Sequence, residues 1–173
     1  PAVIAALLFE DRIEKLFTEP AQVAYFFLAT GLVLLVGQFF LWKKKGAGKG
    51  PAISSSFSVG VAQAFALLPG ISRSGTTISA GLASGMKAEE AFRFSFLLSV
   101  PAILGALLYK SLKMDAGTVV SEKVLEYGIG MFAAFIVGLL SLRILWWVIK
   151  SRKLYIFAIY CLLLGTAGIV FWK

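Results

Sequence analysis

Long apolar runs, separated by short polar or charged segments, dominate the pattern along the chain. Each is close to the roughly 20 helical residues that cross a bilayer core of about 30 Å. Tryptophan and tyrosine stand near the run ends, as they do at membrane interfaces. The pattern predicts an all-α polytopic membrane protein with four spans, at residues 21–42, 92–109, 124–149 and 154–172.

Residues 57–86 form a further apolar segment, which ends at Met86. Its one charged residue, Arg73, lies near the centre. As one helix it would extend about 45 Å, which is too long for the bilayer core. Pro69-Gly70 divides it, because proline removes a backbone donor and glycine relaxes the helix. The halves favour a re-entrant helix pair, and a broken helix that crosses once is the alternative.

The distribution of lysine and arginine favours the re-entrant pair. Residues 43–49 and 150–153 are the strongest positive clusters, and both are expected to face the cytoplasm. Two spans, 92–109 and 124–149, lie between them, so the clusters share a side only if residues 57–86 add an even number of crossings. Residues 43–56, rich in Lys, Gly and Ser, are predicted to form a loop on that side.

Composition agrees with a lipid environment: hydrophobic residues make up 59% of 173 and charged residues 15%. The net charge of +8 lies mostly at run ends, which disfavours nucleic acid as a partner. There is no histidine, and Cys161, without a partner, is predicted to be a packing residue. The opening residues 1–9 resemble the end of a helix, so we expect an N-terminal part to be missing.

The chemistry is concentrated at the break, in Pro69-Gly70-Ile71-Ser72-Arg73-Ser74-Gly75-Thr76-Thr77. Ser72 or Ser74 can cap the second half-helix, whose first N–H groups and positive end favour an anion. Arg73 adds forked donors suited to phosphate oxygens. Thr77 lies one turn on, on the same face as Arg73. Gly70 and Gly75 allow close approach of the backbone.

The alternative is that these small residues only pack helices and that Arg73 pairs with Glu89 or Glu90. The two glutamates are equally suited to the first turn of the following helix. Gln63, six residues before the break, is suited either to support the loop or to join the site. The segment is no Walker A loop, since it lacks the Gly-Lys-Ser/Thr ending and a preceding strand.

The stretch Gly60-x-x-Gln63-x-x-Ala66-Leu67-x-Pro69 and the motif that follows it resemble the second signature of bacterial undecaprenyl-diphosphate phosphatases of the bacitracin-resistance type. The run Phe94-Ser95-Phe96-Leu97-Leu98-Ser99-Val100-Pro101 and the opening Pro1-Ala2-Val3-Ile4 match that family too. The resemblance implies hydrolysis of undecaprenyl diphosphate in the bacterial inner membrane. It also implies an inverted-repeat fold with two re-entrant pairs, and it leaves room for a homodimer.

One departure concerns the family's first signature, a pair of glutamates and a Ser-Ser-Thr-Gly-His segment, which has no counterpart here. The resemblance therefore assigns Arg73, Ser72 and Thr77 to catalysis by charge stabilisation and phosphate binding, and leaves nucleophile and base elsewhere. The expected substrate-binding residues are Ser74, Gly75, Thr76, Gly70 and Gln63. A divalent cation, Mg²⁺ or Ca²⁺, is expected to take its ligands from the substrate and the missing part. A transporter or flippase for a phosphate-bearing lipid is the main alternative function, and a lipid-binding scaffold is a third.

Overall fold

The computed structural model describes residues 1–43, 48–113 and 124–171, without the side chains at 10, 11, 14, 113 and 124. Every element of regular structure in these ranges is helical, apart from one isolated bridge between Lys49 and Met86. The all-α prediction is confirmed. The helices are α1 (Ala2–Phe17), α2 (Pro20–Lys43), α3 (Ile53–Phe65), α4 (Arg73–Ala83), α5 (Ala88–Lys113), α6 (Val124–Lys150) and α7 (Tyr155–Phe171).

Three of the described helices are long and apolar enough to cross a membrane: Pro20–Lys43, Ala88–Leu112 and Leu125–Lys150. They contain the predicted runs at 21–42, 92–109 and, from residue 125 on, 124–149. The fourth run, 154–172, corresponds to the shorter apolar helix α7, and its last residue lies outside the described ranges. The chain is therefore a multi-pass membrane protein.

Helices α3 and α4 form a hairpin that breaks at Pro69-Gly70, as the sequence predicts. Their outer ends meet: the N–H of Lys49 donates to Gly85 O over 3.0 Å, and the N–H of Lys87 donates to Lys49 O over 3.2 Å. A broken helix that crossed once would place these ends on opposite faces of the bilayer. The geometry is that of a re-entrant pair, with α3 and α4 of 13 and 11 residues, each too short to span.

The predicted loop at 43–56 is too long at its C-terminal end, because α3 already begins at Ile53. The Ser55 hydroxyl accepts the N–H of Ala52 over 2.9 Å and donates to Ala52 O over 3.0 Å. These bonds satisfy backbone groups at the helix start, so the serine-rich stretch nucleates a helix and does not extend the loop. Residues 44–47 lie outside the described part of the chain.

The C-terminus of α2 and the turn between α6 and α7 lie at one end of the molecule. Arg152 Nη1 donates to Leu41 O over 2.9 Å, and Gln38 Nε2 donates to Arg152 O over 3.0 Å. A cavity of about 190 Å³ at this end is lined by Lys87, Lys150 and Arg152. The two positive segments used in the charge argument thus flank the same end, together with the outer end of the hairpin. We call this the cationic end.

Close packing of small residues holds α2 against α7. A Cβ placed on Gly31 would lie 2.6 Å from Leu162 Cγ, and one on Gly165 would lie 2.7 Å from Leu28 Cδ2. Small residues let transmembrane helices approach in this way. The buried cluster that continues from this interface under the hairpin is Leu34, Leu41, Val59, Ile78, Leu82, Met86, Ala91, Ile149, Leu154, Ala158 and Cys161. Cys161 is thus a packing residue.

Candidate functional site at the hairpin tip

The tip of the hairpin lies near mid-depth of the helix bundle. Its contact on α2 is Thr30, and about 13 residues, or roughly 20 Å of helix, separate Thr30 from Lys43 at the cationic end. Its contact on α5 is Leu98, about 10 residues or roughly 15 Å from Ala88. Both values place the tip near the middle of a core about 30 Å thick. Non-helical backbone at this depth is tolerated only where protein or a watery cavity surrounds it.

Ser72 caps α4, as the sequence predicts. Its Oγ accepts the N–H of Gly75 over 3.2 Å, and its carbonyl oxygen accepts the N–H of Thr76 over 2.9 Å. Within the described ranges, no acceptor lies in hydrogen-bond range of the N–H groups of Arg73 and Ser74. Two donors at a positive helix end therefore remain available for an anion.

Thr30 of α2 holds the tip in place. Its Oγ1 donates to Gly70 O over 2.9 Å and accepts the N–H of Ser72 over 3.0 Å, and the side chain is 1% exposed. The hydroxyl thus satisfies one acceptor and one donor of the turn, both of which would otherwise lie unpaired at membrane depth. Sequence reasoning missed this residue, because a threonine within an apolar run more often bonds its own preceding turn.

Gly70 and Gly75 are needed for contact with α2. Gly70 has φ +89°, and a Cβ there would lie 2.6 Å from Val23 O. A Cβ on Gly75 would lie 2.9 Å from Leu34 Cδ2. The sequence predicted close approach of the backbone at both positions, but the structure shows that the approaching group is α2. Their assignment to substrate binding stays a prediction.

Arg73 is held by neutral groups. Its Nη2 lies 3.4 Å from Gln63 Oε1 of α3 and 3.3 Å from Leu98 O of α5. Pro101 lacks the N–H that would bond Leu97 O. The helical hydrogen bonds of α5 are therefore already interrupted at the residue next to Leu98. Gln63 thus contacts Arg73 at the tip, and its assignment to substrate binding stays a prediction.

The alternative pairing of Arg73 with Glu89 or Glu90 is wrong. Both glutamates lie in the first turn of α5, where the sequence also allowed them, and Glu90 faces Arg93 at 4.0 Å. The contacts of Arg73 are the neutral oxygens of Gln63 and Leu98, at distances near the long limit of hydrogen bonding. Its positive charge is therefore unneutralised by any carboxylate that the structure describes, and a bound anion would compensate it.

The hydroxyl of Thr77 points to α5, although the sequence predicted that it faces the ligand beside Arg73. Its Oγ1 donates to Arg73 O over 2.8 Å and lies 2.6 Å from Ser95 Oγ, and the residue is 1% exposed. This pair ties α4 to α5, and Ser95 is a second residue that sequence reasoning missed. A catalytic role for Thr77 stays a prediction. In the structure, its hydroxyl bonds the backbone carbonyl of Arg73 and so holds the start of α4. Thr76, in contrast, has a buried hydroxyl without a partner in the described structure.

The groups at the tip suit an anion and do not suit a divalent cation. They comprise a guanidinium, two N–H donors and hydroxyl groups, whereas Mg²⁺ and Ca²⁺ prefer carboxylate and carbonyl oxygens. No group of three or more acidic, histidine or cysteine side chains that could hold a metal occurs in the described residues. The expected Mg²⁺ or Ca²⁺ therefore has no fitting set of ligands at the tip.

The chain resembles known proteins over nearly its whole length. A family model described as "Bacitracin resistance protein BacA" matches residues 1–167. A protein of Methanothermobacter thermautotrophicus named undecaprenyl-diphosphatase is 41% identical over 174 residues, covering 95% of this chain and 91% of its own length. Proteins with the same name from Methanobrevibacter smithii and Christiangramia forsetii are 41% and 40% identical. The chain spans only 59% and 63% of the length of these two relatives.

Proposed function

The chain belongs to the BacA family of bacitracin resistance proteins, and from this membership we propose that it hydrolyses undecaprenyl diphosphate to undecaprenyl phosphate and inorganic phosphate. This activity returns the lipid carrier to cell-wall synthesis in the bacterial inner membrane. One observation supports the proposal most: the unpaired N–H groups of Arg73 and Ser74 and the guanidinium of Arg73 all belong to the hairpin tip, at mid-depth among apolar helices. They form a site for a phosphate group attached to a hydrocarbon chain.

We assign positioning and charge stabilisation to the hairpin tip. Oxygens of the bound diphosphate accept the two free N–H groups and the remaining guanidinium donors. Phosphoryl transfer depends chiefly on such positioning, because the transition state spreads negative charge over the phosphoryl oxygens. A preorganised cation in a site of low dielectric stabilises that charge strongly. The Ser72 hydroxyl, whose oxygen already accepts the Gly75 N–H, still has its own proton to donate to a phosphate oxygen.

Activation of the attacking group is assigned to none of the described residues. The sequence contains no histidine, and the described structure shows no carboxylate in contact with Arg73 or Ser72. Ser72 as a nucleophile would need a base within hydrogen-bond reach. We assign the base, the nucleophile and the ligands of a divalent cation to the family's first signature, as the resemblance implies.

A transporter or flippase for a phosphate-bearing lipid is the second candidate, because its binding site would use the same geometry. Half-helices with their N-termini near the midplane bind anionic groups in transporters. Release of inorganic phosphate separates the two, since a flippase moves the lipid without breaking a phosphoanhydride. A homodimer remains a prediction of the resemblance and plays no part in either function.

The test is the Arg73→Lys variant in the full-length protein expressed from its own gene. Lysine keeps the charge but loses the forked contacts, so we expect kcat/KM for undecaprenyl diphosphate to fall by about 100-fold. Arg73→Ala should fall further. Phosphate release in detergent measures both, and Arg12→Lys, on exposed α1, is the matched control. Near-normal turnover by a folded Arg73→Ala protein would assign the arginine to structure alone, and lipid movement without phosphate release would favour the transporter.

A further inference from the structure

An apolar cleft of about 980 Å³ lies between α5 and α6, on the side of α5 that faces away from the hairpin. Ser95 and Leu98 O of α5 contact α4, whereas Phe96, Leu97 and Val100 line the cleft. The cleft is open at the surface of the described part of the chain, since Leu97 is 69% exposed. The cleft is therefore separate from the proposed diphosphate site at the hairpin tip.

Two arginines, Arg93 of α5 and Arg143 of α6, line the end of this cleft that is nearer the cationic end. Arg143 precedes Lys150 by seven residues, or roughly 10 Å of helix, within an otherwise apolar stretch. It has no hydrogen-bond acceptor or ion-pair partner in the described part of the chain. Arg93 has only a 4.0 Å contact with Glu90.

Along the cleft, α6 has few contacts with the rest of the described chain. Helix α6 packs chiefly against α5, through Trp146 and Phe92, whose ring centroids lie 5.1 Å apart. Beyond this aromatic pair the two helices diverge around the cleft, and Leu139 and Leu140 remain about half exposed. A hydrocarbon chain in this space would fill the gap and contact both helices where their own side chains do not meet.

We propose that the cleft binds an anionic phospholipid from the leaflet at the cationic end, with the phosphate between Arg93 and Arg143 and an acyl chain along Phe96, Val100 and Leu139. The depth of the arginines argues for a bilayer lipid over the polyprenyl substrate. Arg93 and Arg143 lie within roughly 10 Å of the helix ends, close to where phospholipid headgroups lie, whereas Arg73 lies near mid-depth. One diphosphate cannot occupy both levels.

The experiment measures lipid binding to the full-length protein in neutral detergent, by native mass spectrometry and by thermal unfolding. Phosphatidylglycerol should bind and raise the Tm, and phosphatidylcholine should do so much less. The double variant Arg93→Gln/Arg143→Gln should weaken phosphatidylglycerol binding by roughly 30-fold, the equivalent of about 1 kcal/mol for each arginine near the membrane surface. Arg12→Gln, an exposed arginine on another helix, should bind as the wild type does.

A second variant keeps the test decisive if the double variant fails to fold. Val100→Trp fills the cleft and leaves both arginines in place, and it should also abolish the rise in Tm with phosphatidylglycerol. Wild-type binding by either folded variant overturns the proposal, as does equal binding of phosphatidylglycerol and phosphatidylcholine. Preferred binding of undecaprenyl phosphate over phosphatidylglycerol overturns it as well, and would make the cleft a product site. Diphosphatase activity is measured in parallel, so a failure here is distinguishable from a failure of the proposed function.

Discussion

Replacement of Thr30 by valine tests whether a single hydroxyl on α2 holds the hairpin tip in its working position. Valine has nearly the same shape, so the packing around this buried side chain is kept. The substitution removes the donor to Gly70 O and the acceptor of the Ser72 N–H, at 2.9 and 3.0 Å. Both backbone groups then lie unpaired at mid-depth of the bundle.

The magnitude follows from the two orphaned groups. A buried polar group left unsatisfied costs about 1–3 kcal/mol, so two such groups should cost the folded state about 2–6 kcal/mol. The turn can recover part of this loss by moving Ser72 away from α2, which also moves the free N–H groups of Arg73 and Ser74. We expect this displacement to lower kcat/KM about 10-fold to 100-fold, because a misplacement of about 1 Å has effects of that size.

The control is Gln38→Met, on the same helix. Gln38 is buried and also makes two hydrogen bonds, to Arg152 O and from the N–H of Tyr155, but these lie at the cationic end, far from the tip. Both variants should lower the free energy of unfolding, and only Thr30→Val should lower kcat/KM of the folded fraction. Thr30→Ser keeps the hydroxyl and should restore turnover. If Thr30→Val and Gln38→Met retain equal turnover per folded molecule, the positioning role of Thr30 is refuted.

Two further predictions concern topology and the division of labour. In a Cys161→Ala background, cysteines at Gly50 and Ser151 should be labelled by an impermeant reagent from one side of the membrane and a cysteine at Thr18 from the other. Labelling of the first two from opposite sides would contradict the re-entrant pair. We also expect the 173 residues purified alone to release negligible phosphate, and added protein that carries the family's first signature to restore turnover. Robust phosphate release by the 173 residues alone, dependent on Arg73, would instead make Ser72 the leading nucleophile.

The parts of the fold that the sequence predicts well are those that depend on neighbouring residues. Long apolar runs of membrane-spanning length produced α2, α5 and α6 almost at the predicted positions. Pro69-Gly70 determines the break by its own backbone preferences, and Ser72 caps α4 through a bond to the N–H of Gly75, three residues on. Each of these features is decided within one or two helical turns, so one sequence is enough to read it.

The contacts between helices that hold the site in place could not be predicted from the sequence in the same way. Thr30 and Gly70 are 40 residues apart, and Thr77 and Ser95 are 18 apart. A hydroxyl within an apolar run carries no local sign of which distant helix it will face, and its default partner is its own preceding turn. For this reason the sequence does not predict the contacts of Thr30 and Ser95. It also predicts that the Thr77 hydroxyl faces the ligand, whereas the hydroxyl contacts α5.

The helices that surround the tip determine which of its polar groups remain free to bind an ion. The helices beside α4 bond polar groups of the turn and of α4 itself. Through Thr30, α2 donates to Gly70 O and accepts the Ser72 N–H, and through Ser95, α5 contacts the Thr77 hydroxyl. The turn is left with free donors at Arg73 and Ser74, while its Gly70 carbonyl is already occupied. An anion would accept the hydrogens of these free donors, so the arrangement of the surrounding helices agrees with the proposed phosphate site.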